Sequence, residues 1–355
     1  MLYKPFYDPE KSYEENLKEG PFGAFADGKI YEQIGEPEYD FFGHKVFAPF
    51  GIPAGPLIDG KYTKAAMDKG FDIVIYKTVR SKKFPCHQWP NILKVEVEGD
   101  LTLEKASNKL VANHNFSEPL SITNSFGVPS LDPSFWQEDI KDLIKNTRKG
   151  QIVVGGFQGT KTNDGNVESY INDYILTARL LKEVGVQVFE VNFSCPNEGT
   201  DNLLCFDIER SLMVAKAIKN EIGVLPLIVK IAYFKDENLL KNFVSEIGQV
   251  VDGISAINTI SATVVDLEGK YALPGEGREK SGICGASIKW AGLEMVKKLK
   301  KIREELKYKF TIIGVGGVNK AEDYFLYRNA GADIVMSATG AMWDPYLAQE
   351  IKKRL

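Results

Sequence analysis

The sequence lacks several features that mark common classes of protein. It has no run near the roughly 20 apolar residues that a transmembrane helix needs, and its first residues, MLYKPFYDPE, are polar where a signal peptide would be basic and then apolar. There are four cysteines in 355 residues and no CxxC pair, so neither a disulfide framework nor a zinc site is indicated. We therefore expect a cytoplasmic protein with reduced thiols and no membrane partner.

Charge of one sign is not concentrated anywhere in the chain. The 44 basic and 48 acidic side chains give a formal net charge of -4, with no basic stripe that could neutralise nucleic-acid phosphates. The three histidines are scattered, and no HxxxH motif or carboxylate cluster occurs at the predicted strand ends. We expect no nucleic-acid partner and no metal.

What the sequence does contain is a repeated alternation of short apolar runs and longer amphipathic segments. Apolar runs rich in β-branched residues are typical of parallel strands covered on both faces, and the segment 168–185 has helical periodicity closed by a glycine. Eight strand–helix units favour a closed (β/α)8 TIM barrel over an open doubly wound sheet, so the fold class is α/β. The predicted strands are 50–55, 73–78, 152–157, 188–194, 227–232, 253–260, 310–317 and 333–339.

Two segments lie outside this repeat. Residues 1–45 form an N-terminal extension with little periodicity, and 39–50 are predicted to form a hairpin that caps the closed end of the barrel; 46–355 would be one barrel domain. Residues 79–150 are too many for a single helix and too many for a structureless loop. We expect this segment to fold over the barrel mouth and to help form the site.

The richest candidate chemistry is at the end of the fourth strand, in the run Asn192-Phe193-Ser194-Cys195-Pro196-Asn197. Active sites of such barrels lie at the carboxyl ends of the strands. A thiol there can act as a base or nucleophile if its pKa is lowered from about 8.5. The alternative is that Cys195 belongs to a buried structural turn.

Other strand ends carry polar residues that suit a flat imide ring. Lys77 ends the second strand and Lys230 lies in the fifth, where a buried lysine is costly without an anion or a polarisable ring. Amide groups supply both donors and acceptors without net charge. Four such amides are expected to converge, from Asn124, Asn192, Asn197 and Asn258, with Thr259 following the last of them.

The last two strands end in small residues suited to a phosphate. Gly314-Val315-Gly316-Gly317 precedes a helix start at Asn319-Lys320, and Ser337-Ala338-Thr339-Gly340 forms a second such turn. Backbone N–H groups of such turns, with the dipole of the following helix, attract phosphate at this position of a barrel.

The run at strand four resembles the catalytic loop of the soluble, cysteine-type (class 1) dihydroorotate dehydrogenases, and the resemblance extends from about residue 40 to the end of the chain. It implies FMN-dependent oxidation of (S)-dihydroorotate to orotate in pyrimidine biosynthesis. In this reaction Cys195 takes the proton from C5 while hydride passes from C6 to N5 of FMN.

The resemblance also implies residue roles. The substrate would be held by Lys77, Asn124, Ser125, Phe126, Gly127, Asn192, Asn197, Asn258 and Thr259. The FMN would be held by Ala54, Gly55, Lys77, Thr78, Asn192, Lys230, Gly285, Gly316, Gly317, Ala338 and Thr339.

The electron acceptor and the exact reaction remain open at this point. The pair Asn258-Thr259 resembles the subclass that works with an iron–sulfur flavoprotein partner, whereas 124–129 resembles the homodimeric, fumarate-using subclass. An FMN barrel similar to dihydropyrimidine dehydrogenase is the nearest alternative, although that group typically has histidine where Asn197 stands. A sugar-phosphate barrel without flavin and a catalytically idle flavin-binding scaffold are further alternatives.

Overall fold

The strands and helices alternate along most of the chain. The computed structural model describes residues 2–161, 166–195 and 203–355. In these residues the strands are β1 (Tyr39–Phe41), β2 (His44–Val46), β3 (Phe50–Ile52), β4 (Ile73–Val79), β5 (Ile92–Val95), β6 (Lys109–Asn113), β7 (Ser121–Asn124), β8 (Ile152–Phe157), β9 (Phe189–Asn192), β10 (Leu227–Ile231), β11 (Gly253–Ala256), β12 (Ile260–Val265), β13 (Lys280–Gly285), β14 (Thr311–Val315) and β15 (Ile334–Met336). The helices are α1 (Tyr13–Glu19), α2 (Gly60–Asp68), α3 (Leu103–Ala106), α4 (Pro133–Lys145), α5 (Val167–Glu183), α6 (Ile208–Ile222), α7 (Glu237–Ile247), α8 (Lys289–Leu306), α9 (Ala321–Ala330), α10 (Thr339–Trp343) and α11 (Leu347–Lys352).

Eight of the strands form a closed parallel barrel. Its order is β3-β4-β8-β9-β10-β11-β14-β15, and β15 returns to pair with β3. Helices α2, α4, α5, α6, α7, α8 and α9 connect successive strands, which gives the alternation of a (β/α)8 barrel. Each of the eight predicted apolar runs overlaps one of these strands, so the predicted fold class is confirmed.

The β1–β2 hairpin closes the amino-terminal end of the barrel, as predicted. Its two-residue turn has positive φ at Phe42 (50°) and Gly43 (86°), which matches the twist of the two strands. Phe41 and Val46 point inward and pack in the same apolar cluster as Ile73 and the other inward-facing barrel residues. The hairpin thereby excludes water from this end of the barrel.

A second, smaller closed sheet lies over the other end of the barrel. Its five strands run in the order β12-β13-β7-β5-β6, with β6 pairing to β12. The prediction that 79–150 folds over the mouth is confirmed, since β5, β6 and β7 come from it. The predicted strand 253–260 is wrong in its second half: β11 ends at Ala256 and β12 begins a new direction at Ile260, which leaves Asn258 and Thr259 in the break between the two sheets.

The N-terminal segment, residues 2–38, contains a helix that the sequence analysis missed. Helix α1 begins after Ser12, whose hydroxyl accepts from the N–H of Glu15 (3.2 Å) while the Glu15 carboxylate accepts from the N–H of Ser12 (2.8 Å). This capping box was visible in the sequence as Ser-x-x-Glu. A seven-residue helix is too short to give a clear periodic pattern, so the sequence analysis did not predict it.

No helix in the described part of the chain has the length and apolar character that crossing a membrane requires. Within the same residues, no three His, Cys, Asp or Glu side chains are grouped so that they could hold a metal ion.

Candidate active site

The candidate site is a cavity between the carboxyl ends of the eight parallel strands and the small five-stranded sheet. Most of the residues predicted from the sequence line it. These are Ala54, Gly55, Lys77, Thr78, Asn124, Ser125, Phe126, Gly127, Asn192, Cys195, Lys230, Asn258, Thr259, Ala338 and Thr339. Asn197 lies outside the described residues. The structure thus brings together side chains that are up to about 285 positions apart in the sequence, from Ala54 to Thr339.

Ser194 connects two of the predicted asparagines. The side-chain oxygen of Asn192 accepts from the N–H of Ser194 at 3.1 Å and from its hydroxyl at 3.0 Å. The Asn258 amide donates to the Ser194 hydroxyl at 3.0 Å, and the Asn192 amide donates to the Gln158 side chain at 3.0 Å. These contacts fix which face each amide turns toward the cavity, so its donors and acceptors are oriented before a ligand arrives.

The third described asparagine, Asn124, ends β7 on the opposite wall. Its amide nitrogen lies 3.4 Å from the Gly282 carbonyl oxygen and 3.4 Å from the Cys284 sulfur, both on β13. Residues two apart on a strand share a face, and Lys280, Gly282 and Cys284 all line the cavity. One face of β13 therefore forms a wall of the site.

Lys77 brings a buried positive charge to the cavity. It is 7 % exposed, and burial lowers the pKa of its ammonium group to about 8. Negative charge on Cys86 or Cys195 acts in the opposite direction and favours the charged lysine. The reciprocal effect is that the Lys77 ammonium stabilises a thiolate nearby.

A second buried lysine lies deeper in the barrel. Lys230 on β10 is in register with Asn192 on β9 and Ser255 on β11. Its ammonium lies 3.9 Å from the carboxylate of Glu190, which is buried. Burial raises the pKa of Glu190, and the charge of Lys230 partly opposes that shift. The nearby hydroxyl of Ser255 also acts to lower the pKa of Glu190. Neither oxygen of Glu190 accepts a hydrogen bond from the described residues.

Cys195 lies three residues beyond the end of β9 and on the cavity wall. It is 5 % exposed, and it interacts electrostatically with Lys77. The charge of the Lys77 ammonium favours the thiolate of Cys195, whereas shielding from water opposes it.

Comparison with known proteins agrees with this arrangement. A family model described as dihydroorotate dehydrogenase matches residues 113–355. The chain belongs to the dihydroorotate dehydrogenase family. A dihydroorotate dehydrogenase of Dictyostelium discoideum is 33 % identical over 98 % of this chain and 97 % of that protein.

Other members of the dihydroorotate dehydrogenase family are more distant and differ in their named acceptors. The catalytic subunit of a dihydroorotate dehydrogenase B (NAD⁺) from Thermodesulfovibrio yellowstonii is 28 % identical over 66 % of this chain and 72 % of that protein. A dihydroorotate dehydrogenase (quinone) from an Arthrobacter species is 26 % identical over 88 % of this chain and 83 % of that protein.

Dihydroorotate dehydrogenases are flavin-dependent, and the residues present fit a flavin. Gly55 has φ 139°, lines the cavity, and a Cβ built on it would meet nothing within 4 Å. Gly316 (φ 128°) and Gly317 (φ 67°) turn the chain after β14, and a Cβ on Gly317 would lie 2.9 Å from the carbonyl oxygen of Gly285. These last three glycines are not on the cavity wall. A bulky group could therefore approach the backbone at Gly55, whereas the backbone at Gly317 is closely packed against the protein itself.

Several site residues escaped the sequence analysis. Gln158, Glu190 and Cys284 stand in or next to apolar strands, where a single polar residue gives no periodic signal. Arg278 is buried and donates to the Ser125 hydroxyl at 3.0 Å and to the Ser125 carbonyl at 3.1 Å, which fixes the loop after β7. Tyr7, from the N-terminal segment, also lines the cavity. The pairing of distant segments that places Arg278 and Tyr7 here has no local sequence signature.

Proposed function

We propose that this chain oxidises (S)-dihydroorotate to orotate in pyrimidine biosynthesis, with FMN as its cofactor and Cys195 as the base. The observation that carries the proposal is that Cys195, three asparagines and two buried lysines line one cavity at the carboxyl ends of the barrel strands. An imide ring with a carboxylate presents the complementary pattern of N–H donors, C=O acceptors and negative charge.

The substrate would be held by amide groups from both sides of the cavity. Asn192 and Asn258 come from the parallel barrel, and Asn124 comes from the small sheet. Asn197, Thr259 and the loop residues 125–127 complete the proposed set. The ammonium of Lys77 neutralises the carboxylate, which is worth more in this shielded cavity than in water.

In the proposed reaction the Cys195 thiolate takes the proton from C5 of dihydroorotate as the C5–C6 double bond forms. Bound FMN would supply the acceptor for the hydride that leaves C6. Lys77 contributes by favouring the thiolate, and the amides hold the ring so that the C5 proton faces the sulfur. The thiol later returns its proton to solvent.

The FMN would be held by residues of the parallel barrel. Ala54, Gly55 and Thr78 would contact the ring system together with Lys77, Asn192 and Lys230, all of which line the cavity. The phosphate would bind at the backbone of Gly316 and Gly317, with Gly285, Ala338 and Thr339 beside it. Support comes from Ala338 and Thr339, which line the cavity after β15, the strand that pairs with β14, and from the positive φ of both glycines, at which a side chain would be strained.

We further propose that fumarate reoxidises the enzyme directly and that the enzyme is a cytoplasmic homodimer. The loop at 124–129 supports fumarate, whereas Asn258-Thr259 supports a partner iron–sulfur flavoprotein. A steady-state assay with fumarate, NAD⁺ and a quinone in parallel separates these acceptors. We expect turnover with fumarate alone. Light scattering is expected to give a mass twice that of the chain.

The substrate assignment is tested by anaerobic titration of the purified yellow protein. Dihydroorotate is expected to bleach the flavin absorbance, while 5,6-dihydrouracil, which lacks the carboxylate, is not. Bleaching by dihydrouracil alone would favour an enzyme similar to dihydropyrimidine dehydrogenase. A colourless protein would favour a sugar-phosphate barrel, and a yellow protein that neither compound bleaches would favour a flavin-binding scaffold.

A further inference from the structure

The N-terminal segment contributes one side chain, Tyr7, to the wall of the active-site cavity. No motif of the barrel predicts this residue, because it precedes the first barrel strand by more than 40 positions. Tyr7 is 2 % exposed, so its ring is enclosed by protein on all sides other than the cavity.

The backbone on both sides of Tyr7 is fixed. The N–H of Phe6 donates to the carbonyl of Met342 in α10 at 3.0 Å, which ties the segment to the barrel mouth. The Asn16 side chain accepts from the N–H of Asp8 at 2.8 Å and donates to the Asp8 carbonyl at 2.9 Å. Tyr7 is therefore held in place without needing a contact from its own hydroxyl.

The Tyr7 ring faces the loop that follows β7. It packs edge-on against Phe126, with ring centroids 5.6 Å apart. Lys77 lines the same cavity as Tyr7 and Phe126. Asn124 at the end of β7 and Ser125 directly precede Phe126, so Tyr7 lies beside residues proposed to hold the substrate.

The hydroxyl of Tyr7 has no hydrogen-bond partner in the part of the chain that the structure describes. A buried phenol normally finds one, so an unsatisfied hydroxyl on a residue of the cavity wall points to a ligand atom that reaches it on binding. Burial raises the pKa of Tyr7 well above its ordinary value, so the group stays protonated and acts as a donor. The missing partner is thus an acceptor.

We propose that the Tyr7 hydroxyl donates a hydrogen bond to a carbonyl or carboxylate oxygen of the pyrimidine bound in this cavity. The inference rests on the proposed function, since it takes the ligand to be dihydroorotate or orotate. It makes the N-terminal segment a part of the substrate site and Tyr7 a determinant of substrate affinity.

The test compares Tyr7→Phe with Tyr13→Phe in the flavin-loaded enzyme. Both variants remove one hydroxyl from a buried tyrosine that packs on Phe126, but Tyr13 does not line the cavity. Orotate affinity is measured through the change in flavin absorbance. Tyr7→Phe is expected to weaken orotate binding by about threefold to tenfold, as one hydrogen bond is lost, and Tyr13→Phe is expected to leave it unchanged.

Three outcomes contradict the inference in different ways. Equal affinities of the two variants would show that the Tyr7 hydroxyl does not contact the pyrimidine. Loss of flavin from Tyr7→Phe with unchanged orotate affinity in the loaded fraction would assign the hydroxyl to the cofactor instead. Failure of the wild-type enzyme to bind orotate would overturn the proposed function itself, and the wild-type arm reveals this independently of either variant.

Discussion

The ammonium of Lys230 lies 3.9 Å from the carboxylate of Glu190 inside the parallel barrel, and both side chains are at least 95 % buried. Asn192 lies two residues after Glu190 on β9, so the side chains of Asn192 and Glu190 point to the same face of the sheet. A flavin bound as proposed would therefore face Lys230 as a member of an ion pair and not as a lone lysine.

Glu190→Gln is expected to raise the reduction potential of the bound flavin. Removal of the carboxylate leaves Lys230 as an uncompensated positive charge, which stabilises the negative charge that the flavin gains on reduction. The potential can be measured by dye-coupled titration. Asp72→Asn, which removes a buried carboxylate at the closed end of the barrel, is the control. Equal potentials in the two variants would rule out this role for Glu190.

Orotate binding is expected to weaken as the pH rises through about 8. Burial lowers the pKa of Lys77 from 10.5 to about 8, so above that pH the unliganded site loses the charge that attracts the carboxylate. The dissociation constant should then rise by up to about tenfold per pH unit. The measurement is best made in Cys195→Ala, where the thiol does not titrate. A pH-independent affinity between 6 and 10 would show that Lys77 does not bind the carboxylate.

Lys352→Met is expected to destabilise the fold, more strongly at pH 8 than at pH 5. Lys352 donates to buried Asp72 at 2.7 Å, and desolvation raises the pKa of Asp72 from 3.8 to about 6. The pKa of Asp72 is higher in the folded protein than in the unfolded chain. The stability that the protonated Asp72 carboxyl contributes is therefore lost as the pH rises through about 6. Above that pH the ionised Asp72 needs its partner.

The expected loss at pH 8 is about 3 kcal/mol, the usual effect of breaking a buried ion pair. Thermal or urea unfolding at the two pH values measures it. Lys353→Met, at the exposed neighbouring position, is the control and should change stability by less than about 0.5 kcal/mol. A loss independent of pH would mean that Asp72 is not the group that Lys352 compensates.

The parallel barrel could be predicted from the sequence because its strands are covered on both faces. Runs such as 152–157 and 227–232 are apolar almost throughout, and the intervening helices have a different period. Cys195, Lys77 and Asn192 could be placed at one cavity because the carboxyl ends of parallel strands share one end of the barrel.

The rest of the site depends on contacts that leave no local pattern. Strands β6 and β12 pair although Lys109 and Thr263 are more than 150 positions apart, and Tyr7 reaches the cavity through anchors at Asn16 and Met342. Glu190 was missed for another reason. The partner of this buried carboxylate is Lys230, on the neighbouring strand. The sequence pattern does not show how the two strands align, so it could not reveal the pair.

The most direct test of the central claim is the anaerobic rate at which dihydroorotate bleaches the flavin in Cys195→Ala. Cys205→Ala is the matched control, since Cys205 is also buried near the end of β9 but does not line the cavity. If Cys195 is the base, its variant should react at least about 100-fold more slowly than Cys205→Ala while keeping its flavin and binding orotate. Equal rates in the two variants would show that another group takes the proton.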